Sequence, residues 1–170
     1  KAELGLPSIA VEWVAVTVDD RFQAVKDGKV DLLCGAETAT LARRKDVSFS
    51  IPTFPGGIGA ILRSDASFRL KEVLSQQKPS RVLWRASPAQ ILEKQTFSIV
   101  KGTTSEAWLA DRIAKLQVAA KVVPVASYDE GIKRVLDRSS TVFFGDRAIL
   151  VDAWRRNASA ADLQVLDRRF

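Results

Sequence analysis

A strand–helix–strand rhythm, which occurs in two stretches of the sequence, constrains the fold more than any other feature. In the first stretch, the β-branched run VEWVAVTV at 11–18 predicts a strand. A helix through Phe22 is expected to end near Gly28, and residues 30–34 predict a short buried strand. This order is typical of a parallel sheet with right-handed crossovers, so the chain is predicted to be α/β.

The second stretch follows the same rhythm without repeating the sequence. Residues 58–63 predict a strand, and residues 64–95 are the least regular part of the chain. Two α/β stretches with an irregular joint predict two lobes, formed by residues 1–63 and 64–170. The other predicted elements are helices at 70–77, 88–94, 105–116, 127–136 and 146–155, and strands at 81–84, 96–100, 121–125 and 141–144.

Composition and charge exclude several classes of function. The net charge is +6, but the 26 basic residues are dispersed among 20 acidic ones, which favours a solvated basic surface over a nucleic-acid interface. The chain has no histidine, which argues against His-based catalysis and most transition-metal sites, and no metal or cofactor is expected. No stretch reaches the roughly 18 apolar residues of a membrane helix, so no direct membrane insertion is expected.

The ends of the chain and its one cysteine also carry predictions. The sequence begins without Met or a signal peptide, which indicates a processed or trimmed chain. Cys34 is the only cysteine, so no disulfide can form within the chain, while pairing outside it remains open. We expect Cys34 to be a small buried hydrophobic residue.

Three groups of polar residues follow predicted strands, at the edge where open α/β sheets bind ligands. In the loop after residue 34, Arg43 offers the paired donors that match a carboxylate, with Thr38 and Thr40 nearby. Residues 101–106, KGTTSE, join a strand to a helix start that can receive an anion. Asp146 follows the strand at 141–144, where it can accept hydrogen bonds from an ammonium group.

Each group also has a purely structural explanation. Arg43 could be a surface arginine paired with Asp46. Thr103 and Glu106 could form only a helix cap, and Asp146 could cap its own helix. The individual residues leave these alternatives open.

The combined motifs resemble those of one protein family. RFQAVKDGKVD at 21–31 and the following GAETATLARRKDVSFSIPTF are similar to R-x-x-A-hydrophobic-x-x-G-x-hydrophobic-D, then T-x-x-R, then F-S and a Pro-aromatic pair. SIVKGTTSE at 98–106 resembles V-x-x-G-[ST]-[ST]-x-E, and TVFFGD at 141–146 ends where the family has its ligand-binding Asp. From residue 11 to residue 154, the chain thus resembles the bacterial extracellular solute-binding proteins of family 3, which have the two-lobed type II periplasmic binding fold.

The resemblance implies a periplasmic protein that binds a free amino acid between its lobes and delivers it to an ABC-type permease in the inner membrane. Arg43 would hold the α-carboxylate of the ligand, and Thr38 would add its backbone N–H and hydroxyl. Thr104, together with Thr103, would complete the carboxylate site at the helix start.

At the other end of the ligand, the Ala36 carbonyl and the Asp146 carboxylate would bind the α-ammonium. Relative to the family, the opening strand and helix of the first lobe and the final return segment are missing, so the first lobe is expected to be incomplete. Two alternatives share this fold. One is the sensor domain of a receptor kinase or receptor-like channel, and the other is a cyclohexadienyl-dehydratase-like enzyme, for which Glu37 would be the acid.

Overall fold

The computed structural model describes residues 5, 8–53, 55–75 and 87–170. Its internal contacts divide the chain into two compact units. Unit 1 comprises Lys1–Gly35 and Ala39–Phe49, and unit 2 comprises Ala36–Thr38 and Ser50–Phe170.

Unit 2 is built on one mixed β-sheet. Its strands are β1 (Ile58–Arg63), β2 (Thr96–Val100), β3 (Lys121–Val125), β4 (Val142–Asp146) and β5 (Leu163–Val165), in the spatial order β3-β2-β4-β1-β5. Strand β2 pairs in parallel with β3 and β4, whereas β1 pairs antiparallel with β4 and β5. The carboxyl ends of β2 and β4 therefore lie side by side at one edge of the sheet.

Helices cover the sheet of unit 2. They are α2 (Phe68–Ser75), α3 (Pro88–Glu93), α4 (Thr104–Leu116), α5 (Tyr128–Leu136) and α6 (Arg147–Arg156), and α1 (Arg21–Lys26) lies in unit 1. Buried side chains of β1, β2 and β4 pack with Leu70 of α2 and Leu109 of α4 in one hydrophobic core. Among the described residues, no helix is both long enough and apolar enough to span a membrane.

Helix α5 packs closely against β4 because its fourth residue, Gly131, has no side chain. A Cβ at Gly131 would overlap the ring of Phe143, which is fully buried. Ile132 and Val135 of the same helix are buried as well. The absent side chain thus sets how near the helix backbone lies to the sheet.

Most predicted elements of unit 2 are confirmed to within one or two residues, and the α/β class is confirmed. The sequence did not predict β5, and the strand expected at 81–84 lies outside the described residues. The strand at 58–63, which the sequence analysis placed in a first lobe of residues 1–63, lies in the sheet of unit 2. It lies there because β1 forms ladders with both β4 and β5.

The strands predicted at 11–18 and 30–34 are wrong. The described residues of unit 1 form α1 and a 3-10 turn at Arg43–Lys45 but no strand, and Trp13 and Leu32 are 82% and 81% exposed. Cys34 is exposed too, so its predicted burial is wrong. A β-branched run becomes a strand only beside a neighbour that supplies backbone partners and a surface to bury, and the described part of unit 1 contains none.

Candidate functional site

The loop after β2 leads into α4, whose N-terminus is capped by side-chain hydrogen bonds. Gly102 has a φ of +73°, a left-handed conformation that permits the sharp turn between strand and helix. The Thr103 hydroxyl donates to the Val100 carbonyl at 2.7 Å and accepts from the Glu106 N–H at 3.3 Å. The Glu106 carboxylate accepts from the Gly102 N–H at 2.8 Å. The predicted capping role of Thr103 and Glu106 is therefore confirmed.

The same helix start presents further polar groups to the edge of the sheet. Thr104 is the first residue of α4, where the positive end of the helix dipole favours an anion. Its hydroxyl oxygen lies 3.5 Å from that of Thr38, which belongs to the same unit. The structure thus brings together two threonines that the sequence analysis assigned to one carboxylate site, and Ala36 lies two residues before Thr38.

Asp146 ends β4 and begins α6. Its Oδ1 accepts from the Ala148 N–H at 2.9 Å, so the helix-capping alternative is confirmed. An ionised carboxylate has about four acceptor positions, so this cap leaves capacity for other donors. Because β2 and β4 are adjacent and parallel, the loop after β2, which contains Thr103, and the last residue of β4, Asp146, lie at the same edge of the sheet.

Tyr128 contributes to this edge and was not identified from the sequence. Its hydroxyl accepts from the Asp146 backbone N–H at 2.9 Å, and its ring packs edge-on against Phe143 with centroids 5.5 Å apart. A Cβ at Gly145 would lie 2.7 Å from the Tyr128 ring, so only glycine leaves room for this contact. The Gly145-Asp146 pair indicated a functional position in the sequence, but Tyr128 lies 18 residues before Asp146, and nothing in the pair predicts that contact.

Arg43 lies in unit 1, at the start of the 3-10 turn Arg43–Lys45. Its backbone N–H donates to the Thr40 hydroxyl at 3.2 Å, and its guanidinium carbon lies 4.7 Å from the centroid of the Phe22 ring. The sequence analysis named Asp46 as a possible ion-pair partner of Arg43. In the structure, Asp46 accepts a hydrogen bond from the Lys26 ammonium at 2.9 Å. That hydrogen bond and the charge of Asp46 raise the pKa of Lys26.

In the part of the chain that the structure describes, no three His, Cys, Asp or Glu side chains cluster as metal ligands would. In unit 2, the polar groups at the sheet edge are the hydroxyls of Thr38 and Thr104, the positive start of α4 and the carboxylate of Asp146. The Arg43 guanidinium belongs to unit 1.

Comparison with known proteins identifies the family of this chain. The family model described as "Bacterial extracellular solute-binding proteins, family 3" matches residues 1–139. The L-glutamate/L-aspartate-binding protein of Pseudomonas aeruginosa is 27% identical to this chain over 150 residues. The match covers 88% of this chain and 44% of that protein, so the chain spans less than half the length of this curated relative.

Solved structures share the fold. An ancestral arginine-binding protein bound to glutamine superposes with a TM-score of 0.71 at 20% identity, over 99% of this chain and 64% of that one. The solute receptor for L-cysteine of Neisseria gonorrhoeae gives a TM-score of 0.68 at 23% identity, over 94% of this chain and 55% of that one. At these identities the likeness concerns the fold alone, and the predicted periplasmic binding fold is confirmed.

Proposed function

Since this chain belongs to the bacterial extracellular solute-binding proteins of family 3, we propose that it binds a free amino acid and delivers it to an ABC-type permease of the inner membrane. It would act in the periplasm after removal of a signal peptide, as a binding protein rather than an enzyme. Its similarity to the glutamate/aspartate-binding protein of Pseudomonas aeruginosa supports an amino acid as the ligand.

One observation carries the proposal: adjacent parallel strands end in groups that suit the opposite ends of a zwitterion. After β2 come two threonines and the positive start of α4, and β4 ends with the carboxylate of Asp146. A zwitterion loses water when it binds, so each charged end needs an opposite charge and well-directed hydrogen bonds. A free amino acid is the simplest ligand that meets this requirement.

In this proposal the α-carboxylate is held by Arg43 together with threonine groups. The guanidinium of Arg43 would supply two parallel hydrogen bonds, as arginine does for carboxylates in many sites. Thr38 and Thr104, whose hydroxyl oxygens are 3.5 Å apart, would supply further donors. Thr103 would contribute mainly by fixing the start of α4 through its cap.

The α-ammonium would be bound by Asp146 and by the Ala36 carbonyl. The Asp146 Oδ1 is engaged by the first turn of α6, which holds the carboxylate in place. Hydrogen bonds to charged groups contribute roughly 1.5–3 kcal/mol each, so four or five of them could sustain micromolar binding after the costs of association.

Removal of the Arg43 guanidinium tests the proposal. Arg43→Ala in the intact protein is expected to weaken amino-acid binding about 100-fold or more, since two charge-assisted hydrogen bonds are lost. Isothermal titration calorimetry with the twenty L-amino acids measures this effect and identifies the ligand.

Arg44 provides a matched control for this experiment. Arg44→Ala removes a guanidinium from the same 3-10 turn, where it lies 5.9 Å from the Phe49 ring, and should leave affinity nearly unchanged. The proposal fails if no amino acid binds the wild-type protein. The assignment of Arg43 fails if Arg43→Ala binds as tightly as the wild type.

A further inference from the structure

We infer that Phe22 is a positioning residue for Arg43, whose guanidinium it holds through a cation–π contact. The consequence for ligand affinity rests on the proposed function, but the contact itself does not. Phe22 is the second residue of α1, and the guanidinium carbon of Arg43 lies 4.7 Å from its ring centroid, well within the roughly 6 Å over which such contacts attract.

The surroundings of the ring support this role. Phe22 is half-buried, and the Phe49 ring packs against it with centroids 6.4 Å apart. The guanidinium of Arg21 also lies 4.7 Å from the Phe22 centroid, and Arg21 is only 6% exposed. The ring is therefore held in place by its neighbours in unit 1 and can serve as a fixed surface for the Arg43 side chain.

An aromatic ring attracts a guanidinium through its electron-rich face and carries no net charge, so the contact with Phe22 does not neutralise the positive charge of Arg43. Restricting the side chain before binding also lowers the entropy lost when a ligand is bound.

A second contact links the same two segments without touching the guanidinium. Lys26, the last residue of α1, donates to Asp46 just after the 3-10 turn at 2.9 Å. Both partners are about half exposed, so this ion pair contributes little to stability. Lys26→Ala therefore tests whether general docking of α1 matters, as opposed to the ring at position 22.

The experiment replaces Phe22 in the intact protein with 3,4,5-trifluorophenylalanine and, separately, with Leu. The fluorinated ring is only slightly larger but loses most of the negative charge on its face, so it tests the cation–π contact with little change in packing. We expect about 2- to 5-fold weaker binding of the tightest-binding member of the twenty L-amino acids in both variants. Phe22→Trp should restore or exceed wild-type affinity, and Lys26→Ala should match the wild type.

Nuclear magnetic resonance of the ligand-free protein tests the contact independently. The Arg43 Nε–H proton, shielded by the ring, should shift downfield in Phe22→Leu. An unchanged resonance overturns the inference. A shifted resonance with unchanged affinity in the fluorinated variant overturns the positioning role. If no amino acid binds the wild type, the proposed function fails and the positioning role fails with it, while the resonance still decides whether the ring holds the guanidinium.

Discussion

Asp146 serves two neighbouring structures at once. Its Oδ1 caps α6 through the Ala148 N–H, and its own backbone N–H donates to the Tyr128 hydroxyl. The cap and the proposed ammonium contact are compatible because they use different acceptor positions of one carboxylate. One hydrogen bond restricts the backbone of Asp146 and the other restricts its side chain, so the carboxylate is held in one direction.

Asp146→Asn separates the capping role from the charge. Asparagine caps helices about as well as aspartate, so the unfolding free energy should change by less than about 1 kcal/mol. Loss of the negative charge should weaken α-amino acids roughly 10- to 100-fold, since a charge-assisted hydrogen bond becomes a neutral one. Calorimetry should show a much smaller loss for the matching 2-hydroxy acid, which has no ammonium group.

Asp152→Asn is the matched control, because Asp152 is an exposed carboxylate of the same helix that pairs with Arg156. It should leave both ligands unaffected. Equal losses for the amino acid and the hydroxy acid in Asp146→Asn would contradict the ammonium role.

The sequence identified residues whose chemistry is local and missed those whose contacts are distant. The Thr103–Glu106 cap could be predicted because both partners lie within one helical turn. Phe22 and Tyr128 act on residues 21 and 18 positions away, and nothing near them in the sequence indicates those partners. The ligand roles of the six residues taken from the family resemblance remain predictions.

Among the elements, the predictable helices are those with complete start signals. In α5, the Ser127 hydroxyl accepts from the Glu130 N–H at 3.2 Å, and the Glu130 carboxylate accepts from the Ala126 N–H at 2.8 Å. Glu106 reaches back four residues in the same manner in α4. Strand β5 has only three residues, too few for an apolar alternation, and its place depends on β1.

Gly131→Ala tests the close packing of α5 on the sheet. Overlap of the new methyl group with the buried Phe143 ring should cost about 1–3 kcal/mol, against a gain of up to about 1 kcal/mol in helix propensity. We expect a net loss of roughly 1–2 kcal/mol in unfolding free energy, measured by urea denaturation, because the fully buried ring has no space to move.

Two further variants make this prediction specific. Lys133→Ala changes an exposed position of the same helix and should alter stability by less than about 0.5 kcal/mol. Phe143→Leu in the Gly131→Ala background should recover part of the loss, since a smaller side chain leaves room for the methyl group. A Gly131→Ala protein more stable than the wild type would contradict the packing argument.

For the whole molecule, topology and charge were predictable to different degrees. The alternation of elements indicated the α/β class and parallel pairing, which β2, β3 and β4 show. It did not indicate the antiparallel strand β1, which lies between β4 and β5. Strand direction depends on contacts between distant segments, which the local sequence pattern does not encode.

The net charge, in contrast, follows directly from the composition. Protonation of the 20 acidic residues would raise the net charge from +6 toward +26. Self-repulsion then favours unfolding in acid.

Asp65 should contribute measurably to this acid sensitivity. Hydrogen bonds from Arg63 and then from Arg138, at 2.9 and 2.7 Å, lower the pKa of Asp65 from 3.8 to about 2. Because the folded state holds this carboxyl with the lower pKa, it binds fewer protons than the unfolded state between these values. The stabilisation is therefore fully present above about pH 4 and is lost as the pH falls toward 2.

Thermal unfolding of the wild type and Asp65→Asn between pH 2 and pH 7 tests this dependence. The variant should melt at a lower temperature than the wild type at pH 7, and the difference should shrink below pH 4 and nearly vanish by pH 2. Arg138→Gln should show a smaller effect of the same form, since it removes one of the two partners. The groups are exposed, so high salt should reduce the difference at pH 7. A melting difference that stays constant down to pH 2 would show that Asp65 stabilises the fold by something other than its charge.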